Sequence, residues 1–106
     1  MAVTNRSSKA EFAKRLVAAG YDDFLVLERE AAETVLTDRR SELLETIAAE
    51  DVESITALAE ILDRDVAAVH RDLEVLFEYS LIEYGEDGRK KHPRLKHDHV
   101  FVEPLL

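Results

Sequence analysis

The chain has 106 residues, no cysteine, and 23 acidic against 14 basic residues, for a formal net charge of -9. That length holds one ordinary core, burying roughly 60–70% of the surface of the unfolded chain, and 46% hydrophobic residues suits a globular chain. No cysteine means no disulfide, no thiolate metal site and no cysteine nucleophile, and no apolar run is long enough to span a bilayer, so a cytoplasmic protein with no membrane partner is expected.

Ser7 or Ser8 is placed to cap a helix over residues 8–19 whose Phe12, Ala13, Leu16 and Val17 share a face, and Gly20 stands where helices end. Phe24-Leu25-Val26-Leu27 reads either as a short strand or as the start of a second helix running to Leu36, and periodicity does not choose between them. From Thr37 the signals sharpen. Thr37 caps a helix with Leu43, Leu44 and Ile47 on one face, ending near Glu50. Ser54 caps the next, striped by Ile55, Leu58, Ile61 and Leu62. After Asp63 and Arg64, Asp65 caps a third with Val66, Val69, Leu73, Leu76 and Phe77 on one side. Leu81–Tyr84 and Arg89–His92, around an Asp-Gly turn, read as a hairpin whose second strand is limited by Pro93. His99–Glu103 is a further strand, with Val100 and Val102 on one face and Phe101 on the other.

Acidity argues against a nucleic-acid partner only on average. Residues 1–63 hold 14 acids and 7 bases, whereas residues 64–96 hold 7 of each. Arg89, Lys90, Lys91, Arg94 and Lys96 form one basic stretch without an acid. Lysine is scarce, 5 against 9 Arg, and this acid-rich, lysine-poor balance resembles proteins of salt-loving archaea.

Two helices joined by a tight turn and followed by a hairpin have the pattern of a winged helix-turn-helix, whose second helix enters the DNA major groove. The fold class expected is mainly α with a small β-wing, carrying an N-terminal helical extension. Ser54 to Leu76 resembles the helix-turn-helix of MarR-like and ArsR-like transcriptional regulators, and Tyr79-Ser80-Leu81-Ile82-Glu83 resembles their approach to the wing. The likeness is nearest to small haloarchaeal winged-helix regulators. Their Leu-Thr-x-x-Arg, Gly-containing wing and basic stretch ending in Pro are met by Leu36-Thr37-Asp38-Arg39-Arg40, Gly88 and Pro93, over residues 36–104.

Removing the buried stripe of the third helix leaves Arg64, Ala67, Ala68, Arg71 and partly His70 facing outward, with small alanines that allow close approach to base edges. An ion pair of Arg71 with Asp72 or Glu74, and a packed His70, are the structural alternatives. The resemblance implies that Arg89, Lys90, Lys91, Arg94 and Lys96 touch backbone or minor groove, and Ser54 and Thr56 can donate to phosphate beside the helix N-terminus. A double-stranded DNA partner, no catalysis and no cofactor follow; no Gly-rich phosphate loop or workable Ser/His/Asp set is present. His92, His97, Asp98 and His99 lie close in sequence but lack accompanying ligands, so no metal site is expected. The alternative is a protein-interaction winged helix, or the antitoxin partner of a toxin. Residues 1–35 form an extension whose Phe12, Leu16, Tyr21, Phe24, Leu25 and Leu27 are expected to build a homodimer interface, or else to fold back on the winged domain of residues 36–106.

Overall fold

The computed structural model describes residues 5–87 and 90–104, with side chains for 9–86 and 91–104. Along the chain these form α1 (Asn5–Ala18), β1 (Phe24–Leu27), α2 (Arg29–Val35), α3 (Asp38–Ala49), α4 (Ile55–Leu62), α5 (Val66–Glu78), β2 (Ile82–Asp87), β3 (Lys90–Leu95) and β4 (His99–Val102). They divide into two compact units, one spanning Val35–Lys96, the other joining the residues up to Thr34 with those from His97 onward. The partition expected from sequence gives the C-terminal residues to the winged unit; in the structure β4 pairs with β1 and carries them to the other.

In the unit that joins both ends of the chain, α1 starts at Asn5, so Ser7 and Ser8 lie within the helix rather than capping it. Its C-terminus closes as a Schellman motif: Tyr21 N–H donates to Leu16 C=O at 3.0 Å and Gly20 N–H to Val17 C=O at 3.0 Å. Gly20 has φ 102°, a backbone conformation that costs glycine little and an L side chain more. The ambiguous run 24–27 is a strand. β1 and β4 run parallel, with Phe24 opposite His99 and Val26 opposite Phe101. Asp23 fixes that meeting: its Oδ1 lies 2.9 Å from His97 Nδ1 and its Oδ2 accepts the Asp98 N–H at 3.3 Å. Phe101 is ringed edge-on by Phe12, Tyr21 and Phe24, at centroid distances of 6.1, 5.1 and 6.1 Å.

The Val35–Lys96 unit is built on three capped helices. Thr37, Ser54 and Asp65 each accept the backbone N–H three residues on, at Arg40 (3.2 Å), Ala57 (3.0 Å) and Ala68 (3.3 Å). Between α4 and α5 the chain reverses within three residues because Asp63 takes a left-handed conformation, φ 52°, and Arg64 N–H bonds back to Ala59 C=O at 2.9 Å. Ser80, φ 65°, ends α5 the same way, with Leu81 N–H on Leu76 C=O at 2.9 Å. Leu43, Leu58, Val69, Leu73, Leu76, Leu81 and Ile82 are fully buried and make the core. Ile61, Val66 and Phe77, expected within the buried stripes, are instead 46%, 43% and 51% exposed.

β2 and β3 form an antiparallel hairpin from Ile82 opposite Leu95 to Asp87 opposite Lys90. Pro93 stands inside β3, opposite Tyr84, rather than ending it. The Lys96 N–H donating to Leu81 C=O at 3.3 Å marks the hydrogen-bonded pairs, and Pro93 falls between them, where its missing N–H faces away from β2. Ile82 and buried Pro93 share the face turned to the helices. Three helices with a two-stranded wing make this unit a winged helix-turn-helix, and the whole fold mainly helical.

Candidate nucleic-acid interface

α5 presents Val66, Ala67, His70 and Arg71 to solvent along its N-terminal half, and Ala68 is half-buried. Arg71 makes no ion pair or hydrogen bond among the described residues. Its sequence neighbour Asp72 is engaged elsewhere: Oδ1 takes Arg40 Nε at 3.2 Å and Oδ2 takes Arg64 Nη2 at 2.9 Å. Arg64 therefore is not on the outward face as expected. Its side chain is 9% exposed, with Nε and Nη1 buried and unpartnered, and it serves to tie the α4–α5 turn to α5. The reason is the turn itself, since a residue just before a helix start does not follow the helical wheel from which its direction was read. His70 is half exposed, its Nδ1 3.1 Å from Glu74 Oε1, so it is a surface side chain and not a packed one.

In the wing, Arg89 and Gly88 lie outside the described residues, as does the side chain of Lys90. Lys91 is exposed and its ammonium sits 4.5 Å from the centre of the Tyr84 ring, a diagonal cross-strand neighbour on the same face of the hairpin. Burial, and after it the nearby Glu74 carboxylate, raise the Tyr84 phenol pKa above its ordinary 10.0. Arg94 pairs with Glu83, directly opposite, at 2.9 Å, and Lys96 is exposed. A groove of about 540 Å³ is lined by Ser54, Thr56, Glu60 and Lys91, bringing the α4 N-terminus and the wing together. A second, of about 330 Å³, lies between α5 and the wing, lined by His70, Glu74, Phe77, Glu78, Tyr84 and Lys91. Phe77 stacks against Tyr84 there, at 5.4 Å. Sequence reasoning missed Arg40, Asp72, Tyr84 and the surface role of Phe77, because each is defined by a partner on another element.

Of the residues assigned to a dimer interface, Leu16 and Leu27 are buried within the protomer itself, whereas Phe12, Phe24 and Leu25 are half-buried and Tyr21 is exposed. Leu16 and Leu27 thus belong to the core of the protomer. Among the four residues weighed as metal ligands, His97 is held by Asp23 and the His99 ring meets Tyr21 edge-on at 5.0 Å. No cluster of three His, Cys, Asp or Glu side chains among the described residues is arranged to hold a metal ion.

The chain is similar to the homodimeric winged helix-turn-helix DNA-binding domain of Mb0332 from Mycobacterium bovis, a possible ArsR-family transcriptional regulator. The TM-score is 0.57 at 16% identity, over 91% of this chain and 75% of that one, a likeness of fold. No curated protein matches. The sequence model of the HVO_A0114 family matches residues 35–102, running from the last residue of α2 through the helix-turn-helix and wing to the end of β4, and the chain belongs to that family.

Proposed function

We propose that the chain binds double-stranded DNA as a homodimeric regulator of transcription, with α5 in the major groove and the wing on the flanking backbone. The observation that carries the reading is the N-terminal half of α5. Small Ala67 and uncommitted Arg71 project there, in the half of a recognition helix that meets base edges. Ser54 and Thr56 at the α4 N-terminus, with Lys91 across the groove, suit phosphate contacts. Arg94 and Lys96 extend that positive edge, Arg94 with its charge already shared with Glu83. The acidic body belongs to the same reading, as the surface of a protein working in concentrated salt, where the Debye length falls to about 3 Å and body–DNA repulsion is screened.

The test is a fluorescence-anisotropy titration of a duplex from the chain's own upstream region, at several salt concentrations. Arg71→Ala is expected to weaken specific binding by about tenfold or more, and Lys91→Ala to weaken binding to any duplex and flatten the salt slope. Specific binding that both changes leave untouched would remove α5 and the wing from the interface.

A second reading has its own observation. Phe77 is 51% exposed beside Tyr84, and Glu74 and Glu78 rim the groove, which suits an aromatic or basic anchor from a protein partner. Phe77→Ala separates the two, because it is expected to leave duplex affinity unchanged.

A further inference from the structure

We propose that the chain dimerises by pairing β4 with β4 of a second copy, antiparallel, in the register that sets Phe101 opposite its own counterpart; the idea rests on the homodimer of the reading above and gives it a geometry. The backbone carries the inference. His99 N–H donates to Asp23 C=O at 3.2 Å and Glu103 N–H to Leu27 C=O at 2.7 Å. With the parallel register of Phe24 to His99 and Val26 to Phe101, these bonds turn the peptide groups of His99, Phe101 and Glu103 toward β1. The groups of Val100 and Val102 then face the opposite edge, where no strand among the described residues pairs with them. A parallel pair of strands with an open edge is a poor stopping point, since parallel sheets are normally covered and two strands are marginal alone. Val100 and Val102 are each 41% exposed.

That edge is complementary to itself. A two-fold axis at Phe101 sets Val100 opposite Val102 of the second copy, both with N–H and C=O facing inward, and repeats the pair by symmetry. The two Phe101 residues then form the non-hydrogen-bonded pair, with Cα atoms about 4.5 Å apart, joining the Phe12, Tyr21 and Phe24 clusters of both copies. His99 falls opposite Glu103 of the second copy. Glu103 is nine-tenths buried and has no ion-pair partner among the described residues, so a ring N–H of His99 there can donate to its carboxylate. Slipping the register by two residues loses a hydrogen-bonded pair either way. In one direction Asp98 comes opposite Val102 in place of Val100, with its N–H already given to Asp23. In the other Pro104 comes opposite Val100, and it has no N–H.

The experiment compares three versions of the chain by light scattering and sedimentation in a salt series from 0.15 M to molar concentration, with circular dichroism to verify folding. Wild type is expected to be a dimer. Val100→Lys/Val102→Lys, which sets lysine against lysine twice, is expected to raise the dimer dissociation constant by about tenfold or more. Val100→Lys/Val102→Glu restores opposite charges in the same register and is expected to hold the dimer. A monomeric wild type, an undisturbed Lys/Lys dimer, or equal loss in both variants would each overturn the proposal. Should a variant unfold, Val100→Pro serves instead, since it deletes an N–H facing away from β1; a dimer unchanged by it overturns the proposal too. Duplex binding measured on the same wild-type sample separates the two readings. A monomer that binds DNA sinks this pairing and the homodimer but leaves the DNA contacts of α5 standing, whereas a dimer that binds no duplex sinks the DNA-binding reading alone.

Discussion

Asp72 holds Arg40 and Arg64 at once, so its removal leaves two largely buried guanidinium groups facing each other without their shared anion. Asp72→Ala is expected to cost about 2–4 kcal/mol, read as a lower urea midpoint, and to loosen the α4–α5 turn through Arg64. A change within a few tenths of a kcal/mol would show the triad to be ornamental. Tyr84 offers a test by pH. Its phenol pKa is raised in the fold, first by burial and then by Glu74, so the folded chain keeps that proton to higher pH than the unfolded chain. The stability so contributed is whole below the ordinary value of 10.0 and is lost as pH rises through the raised one. Tyr84→Phe is expected to match wild type near neutrality and to lose stability less steeply above about pH 10; identical alkaline slopes in urea titrations would contradict this. At this scale the sequence was readable where a residue acts on its own backbone. Thr37, Ser54 and Asp65 are caps as expected, since a cap needs only a side-chain oxygen and the next turn. Arg64 was not readable, because its direction depends on a carboxylate eight residues along and on a left-handed turn just before it.

Three helices end in left-handed residues, and only one of them is glycine. Gly20→Ala meets no atom within 4 Å yet must hold φ near 102°, so its cost is backbone strain, about 1 kcal/mol. Ser80→Gly relieves the same strain at the end of α5 and is expected to add about 0.5–1 kcal/mol, as a higher thermal midpoint. Element type was legible where periodicity and caps agree, as in α3, α4 and α5. It was not legible at Phe24–Leu27, because what makes that run a strand is β4, nearly the whole chain away, with Asp23 clamping His97 and Asp98. The breadth of an apolar stripe misled in another way. Ile61 and Phe77 fit the helical period but lie past the edge of what the core covers, and Phe77 meets the wing instead.

For the molecule as a whole, the -9 charge comes mainly from residues 1–63, with 14 acids to 7 bases, whereas residues 64–96 hold 7 of each. Glu60, Glu74 and Glu78 stand close to Lys91, so on the proposed DNA-binding reading long-range attraction to a duplex is weak and recognition comes from short contacts. Salt is therefore expected to weaken binding less steeply than for a basic regulator with the same number of phosphate contacts. The measurement that bears most directly on this account is an amide chemical-shift map of the isotopically labelled chain during titration with a duplex that it binds specifically. The largest shifts are expected at Ser54–Ala57, Val66–Arg71 and Lys91–Lys96, with Phe24–Leu27 and His99–Val102 nearly still. Shifts concentrated on the β1–β4 unit, with the first half of α5 unmoved, would contradict it.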